Sequence, residues 1–129
     1  MIFVDTNLFM YAVGGAHPLR ERAQRFFLQL ESGEAASTSA EVMQELMHAY
    51  VPVGRLDTLD AALLLLESTM SAIWNVDSED VRVARSLVAR YPGLGARDLI
   101  HLACCRRRGA ASIQTFDRAL AAAFANERK

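Results

Sequence analysis

Short apolar runs of strand length alternate along this chain with longer stretches of helical period, and that alternation leaves few folds open. Ile2-Phe3-Val4, Ala72-Ile73-Trp74-Asn75-Val76 and Ala111-Ser112-Ile113-Gln114-Thr115-Phe116 carry the β-branched and aromatic side chains of strands, and residues 34–37 after Gly33 give a weaker one. The apolar and aromatic residues 8–13 also suit a strand. Leu19, Ala23, Phe26, Phe27 and Leu30 recur at helical spacing, which predicts a helix over 19–31. Further helices are predicted over 38–50, ended by Val51-Pro52-Val53-Gly54, and over 56–70. Another is expected over 78–91, stopped by Pro92-Gly93, with the last two over 96–108 and 118–126. Strands interleaved with helices predict an α/β fold. The expected form is a three-layer α/β/α sandwich around a parallel sheet of four or five strands, built by residues 1–129 as one domain.

Parallel strands end at a common edge, and ligands bind at that edge in open α/β sheets. Asp5 closes the first strand and Asp117 the last, while Asp98 heads a helix and Glu45 lies within one. Each has a structural alternative. Asp5 and Asp117 are good helix or turn caps, and Asp98 in a first helical turn gains about 0.3–1 kcal/mol from the dipole. Glu41 fits a capping box with Thr38 as N-cap, which leaves Glu45, at the rim of the face made by Val42, Leu46, Met43 and Tyr50, as a site-edge carboxylate or a solvated boundary residue. Converging carboxylates repel, by roughly 4 kcal/mol per pair at about 4 Å and an effective dielectric of about 20. A hard divalent cation turns that repulsion into binding and is commonly used for phosphoryl chemistry. His101, one turn past Asp98, reads as a core histidine or as a group that orients a carboxylate.

The remaining features narrow the field by exclusion. A composition of 52% apolar and 22% charged residues is that of a globular chain, and no apolar run reaches the ~18 residues of a membrane helix. With no basic leader-like segment before the first strand, a cytoplasmic location is expected. Adjacent Cys104 and Cys105 suit neither a disulfide nor a zinc site and read as buried small residues. The net charge is −1, yet 13 of the 14 basic residues are Arg, whose planar fork suits phosphate. Arg106-Arg107-Arg108 reads as a solvated helix end that complements the dipole. The motifs HExxH, GxSxG, GxGxxG and the P-loop are absent from the sequence.

Together, Ile2-Phe3-Val4-Asp5-Thr6-Asn7, Glu41-Val42-Met43-Gln44-Glu45-Leu46, Ala96-Arg97-Asp98-Leu99-Ile100-His101-Leu102-Ala103 and Gln114-Thr115-Phe116-Asp117 form an ordered set. By this set the chain resembles the PIN-domain ribonucleases, especially VapC-type toxins of toxin–antitoxin pairs. The resemblance implies a PIN-like fold and a metal-dependent endoribonuclease. Asp5, Glu45, Asp98 and Asp117 would hold Mg²⁺ or Mn²⁺, and Thr6, Asn7 and Thr115 would orient carboxylates or water. It also implies an RNA substrate, transfer or ribosomal RNA, a cognate antitoxin as partner and a homodimer. Two rivals were weighed. A haloacid dehalogenase-type phosphatase needs a second Asp where Asn7 stands and a late Lys where only Lys129 exists. A PIN-like domain that binds RNA or protein without cutting is the other, and four intact acids argue against it.

Overall fold

Asp5 decides how the chain leaves its first strand. The computed structural model describes residues 1–30 and 33–129. After β1 (Ile2–Val4), Asp5 is extended and its Oδ1 accepts the Thr6 backbone N–H at 2.8 Å, starting α1 (Thr6–Val13). The stretch 8–13 is therefore helix, not strand. An apolar aromatic run suits either state when buried, and here Leu8 and Phe9 are fully buried under the sheet's helical cover. Next come α2 (Arg20–Gln29) and β2 (Ala36–Ser39). The expected end of the α2 segment at Glu31 lies outside the described residues.

Ser39, not Thr38, caps the following helix α3 (Ala40–Tyr50), its Oγ accepting the Val42 N–H at 3.3 Å. The expected capping box between Thr38 and Glu41 does not form. Thr38 is the third residue of β2 and donates its hydroxyl to the Val4 carbonyl at 2.9 Å, so the sheet has already claimed it. Glu41 instead lies 3.8 Å from Arg97. The order continues with α4 (Leu56–Thr69), β3 (Ala72–Trp74), α5 (Ser78–Ser86), α6 (Ala96–Arg108), β4 (Ser112–Gln114) and α7 (Arg118–Glu127). The expected 78–91 helix stops at Ser86. The turns that follow place Tyr91, whose hydroxyl donates to Glu127 Oε2 at 2.6 Å.

The sheet runs β3-β2-β1-β4 with every pair parallel. Ile2 is opposite both Ala36 and Ser112, so β1 is central and flanked by strands that start more than 30 and 100 residues downstream. Four strands are present among the described residues, and α7, not a fifth strand, follows Asp117. α1 packs on α2, α3 and α4, while α6 packs on α5 and α7, giving the sheet its flanking layers. Phe3 and Val4 of β1 are fully buried, and Phe3 stacks on Trp74 at 5.5 Å between centroids. Each such side chain contributes about 1.5–3 kcal/mol on burial. Cys104 and Cys105 are buried and unpaired within α6, where burial pushes the Cys104 thiol up to about 12. No helix among the described residues is long and apolar enough to cross a membrane.

Candidate active site

Because all four strands run in parallel, the residues just past β1 and β4 share one edge. The Asp5 N–H donates to the Gln114 carbonyl at 3.0 Å, which ties the two strand ends together. Thr115 Oγ1 then donates to Asp5 Oδ2 at 2.7 Å, so one Asp5 oxygen is held by Thr115 and the other by the Thr6 backbone. Asn7 completes the tie. Its amide donates to Thr115 Oγ1 at 3.3 Å and its carbonyl oxygen accepts the Phe116 N–H at 3.2 Å. Thr6 contributes its backbone; its hydroxyl is buried with no partner among the described residues.

Glu45 reaches the same edge from α3. It hydrogen-bonds His101 Nε2, which lies 3.6 Å from Asp5 Oδ1. One ligand atom each from Asp5, Glu45 and His101 lie within 4.8 Å of one another. His101 is fully buried, tilted against Phe3 at 5.4 Å, and its Nδ1 has no partner among the described residues. Burial opposes a charge on this ring, but the Glu45 hydrogen bond and the charges of Asp5, Glu45 and Asp98 outweigh it and raise its pKa. The sequence offers His101 as a core histidine or as a group that orients a carboxylate, and the Glu45 bond gives it the second part as well as the first. The signal the sequence lacked was that an apolar helix face aimed at a sheet edge carries any polar residue on that face into the site.

Asp98 and Asp117 stand outside that closest trio, and Asp98 adds to the charge around His101. Asp98 is in the first turn of α6, which begins after Gly95 without a side-chain cap. Its carboxyl is pushed up to about 6, first by desolvation and then by Asp5, with Asp117 and Glu45 adding to the repulsion and His101 opposing it. Asp98 therefore senses the other three acids. Asp117 is also the N-cap of α7: Oδ1 accepts from Ala119 N and Leu120 N at 2.9 and 3.1 Å, leaving Oδ2 with no partner among the described residues. Capping therefore occupies one oxygen only. None of the four acids forms an ion pair with Lys or Arg among the described residues. His101 is the one side chain among the described residues that can offset their charge when protonated, and crowded oxygen donors beside a single imidazole fit a hard divalent cation.

A parallel sheet ordered in this way, with acids just past the carboxyl ends of β1 and β4, defines an α/β class whose site lies at that edge. The PIN-domain family model matches residues 2–125, and the chain belongs to the PIN-domain family. Among curated relatives, Ribonuclease VapC23 of Mycobacterium tuberculosis is 60% identical over 125 residues, spanning 96% of this chain and 98% of the relative. Among solved structures, Mycobacterium tuberculosis VapC20, described as a sarcin-ricin loop cleaving toxin, superposes with a TM-score of 0.77 at 21% identity over 95% of each chain. A toxin–antitoxin complex from Klebsiella pneumoniae gives 0.67 at 20% identity, covering 94% of this chain and 91% of that one. At such identity the structural matches establish the fold.

Proposed function

We propose that this protein is a VapC-type endoribonuclease, the toxin of a toxin–antitoxin pair, and that it hydrolyses RNA phosphodiester bonds with Mg²⁺ or Mn²⁺. One observation carries the reading: Asp5 and Glu45 close around His101, Asp98 feels the repulsion of Asp5, Glu45 and Asp117, and none of the four acids pairs with Lys or Arg among the described residues. The 60% identity to a ribonuclease over nearly the whole chain supports the substrate class.

Asp5, Glu45, Asp98 and Asp117 would hold the cation. When bound, it lowers the pKa of water and neutralises charge at the scissile phosphate. Hydrolysis breaks one P–O bond, placing hydroxide on phosphorus and a proton on the departing oxygen. The chain supplies pre-set acceptors. Thr115 and the Thr6 N–H fix both Asp5 oxygens and His101 fixes Glu45, while Asp98, whose carboxyl is pushed up to about 6, would be drawn into its charged form by the cation. No side-chain nucleophile is required.

The partner is a cognate antitoxin. An apolar cleft of about 460 Å³ between α1, α2 and α4, lined by Ala12, Val13, Phe27, Leu28 and Leu65, supports that reading, as does the exposure of Leu28 at 68%. Homodimerisation is part of the same proposal, with Leu56 and Leu64 of α4 left exposed beside its buried Leu59, Ala62 and Leu66.

The direct test is incubation of purified, antitoxin-free protein with total RNA under Mg²⁺, Mn²⁺ or EDTA, alongside Asp5→Asn and Asp98→Asn. Discrete fragments that need metal and vanish in both variants are expected. Folded wild-type protein that cuts nothing under any metal would make this a binding domain. Cleavage that persists in both variants would sink the four-acid site.

A further inference from the structure

Phe116 lies between Thr115, which holds Asp5, and Asp117, and its own N–H is held by Asn7. Its backbone is therefore a fixed part of the site edge, one residue from Thr115 and one from Asp117. Around the ring three more flat groups assemble from different elements. Tyr11, one turn after Asn7 in α1, meets Phe116 edge-on at 5.6 Å and 75°. His17, in the loop before α2, lies on Tyr11 at 4.4 Å and 32°. Arg22 of α2 places its guanidinium carbon 5.4 Å over the Phe116 ring.

Packing alone would end such a cluster in apolar groups. Here the outer members are polar and exposed, His17 and Arg22, while Tyr11 and Phe116 form the half-buried base beneath them. His17 is already ordered, since the Leu19 N–H donates to its Nδ1 at 3.1 Å. Arg22 makes no ion pair among the described residues, unlike Arg25, which is paired with Glu21 at 2.8 Å. Arg22 and Arg25 also line a cleft of about 200 Å³ with Phe26, Gln29 and Gln114, which leads from this cluster along the end of β4.

We propose that His17 and Arg22, backed by Tyr11 and Phe116, form a stacking site for an unpaired base next to the scissile phosphate, with Arg22 and Arg25 on the adjoining backbone. Imidazole and guanidinium planes stack on any base that is free of its own helix, and arginine also meets phosphate. Duplex RNA keeps its bases stacked, so the site selects single-stranded or looped RNA. This inference rests on the ribonuclease reading and deepens it.

The test uses a single-stranded RNA of about 12 nucleotides carrying one 2-aminopurine, bound to Asp98→Asn protein so that the strand survives. Binding is expected to quench the 2-aminopurine, and His17→Ala with Arg22→Ala should raise Kd about tenfold and abolish the quenching. Arg22→Lys should keep the salt dependence but lose quenching, and Arg85→Ala on α5 should change neither. The same duplexed sequence should bind both proteins alike. Unchanged Kd and quenching in the double variant would overturn the stacking site. So would weakened antitoxin binding with RNA binding intact, which would assign the surface to protein. Wild-type cleavage distinguishes the two failures: if RNA is cut normally by the double variant, only the stacking site falls, whereas a wild type that never cuts removes the ribonuclease reading beneath it.

Discussion

Asp98 is where the acidic edge is under most electrostatic strain, and the consequence is measurable without RNA. Its folded pKa is raised from 3.8 to about 6, so the fold prefers the protonated form. That preference stabilises fully below about pH 3.8 and is lost as pH rises through about 6. Metal-free protein should thus lose stability across this window, on the order of 1–2 kcal/mol after allowing for solvent screening of a half-buried carboxyl. Thermal melts in EDTA should show Asp98→Asn more stable than wild type near neutral pH, and Mg²⁺ or Mn²⁺ should raise only the wild-type Tm strongly. A destabilised Asn variant in EDTA would contradict the crowding. At His101, Ala substitution should cost about 10–100-fold in Mn²⁺ affinity and RNA cleavage, with Gln, which keeps an N–H for Glu45, recovering part of it. Equal losses in Ala and Gln would make His101 a packing residue. Asp5 and Asp117 were readable in the sequence because a strand followed by Asp announces a turn. The use of His101 was not, since a buried histidine in an apolar helix looks the same whether or not a carboxylate faces it. Nor could adjacent Thr38 and Ser39 be told apart as caps, because the choice depends on Val4, which lies 34 residues away and takes the Thr38 hydroxyl.

The Arg-rich end of α6 shows how elements can be placed correctly and their union missed. Arg106-Arg107-Arg108 reads as a solvated terminus, yet Arg107 and Arg108 both reach the fully buried Asp80 at 2.8 Å. Asp80 also closes a capping box with Asp77 at the start of α5, and Arg108 lies 5.4 Å over Trp74 of β3. One carboxylate thus joins α5 to α6. Burial pushes its pKa up, but hydrogen bonds from Arg108, the Asp77 backbone N–H and Arg107 hold it far below the usual carboxylate range. With a depressed folded pKa, its stabilisation is present above about 3.8 and lost as pH falls below that value. Asp80→Ala should destabilise by about 3–5 kcal/mol in urea titration, because the guanidinium groups lose their buried partner. A cost under about 1 kcal/mol would show the pair to be solvent-screened. The helix periods of both elements were plain in the sequence, but an ion pair between residues some 27 apart has no local signature.

At the scale of the molecule, the layered α/β architecture followed from alternation alone, while the strand order β3-β2-β1-β4 did not, since any strand could pair with any other until the helices were laid over them. The first strand becomes central because its Phe3 and Val4 are apolar on both faces, as a doubly covered strand must be. The helical cover leaves the cleft at Leu28 open, and it sets the last prediction. Cells expressing Leu28→Asp together with the cognate antitoxin should still arrest, whereas the wild-type pair should grow. Full rescue of Leu28→Asp would take the cleft out of the antitoxin's footprint.

The bond from Thr115 to Asp5 spans 110 residues, nearly the length of the chain. Synthesis proceeds from the N-terminus, so Asp5 emerges from the ribosome early and waits for its partner until β4 has been made. A nascent chain holding everything through α6 has neither Thr115 nor Asp117, and its first strand lacks one neighbour. The order of translation thereby sets the order of assembly: the carboxylate is made long before the hydroxyl that aims it.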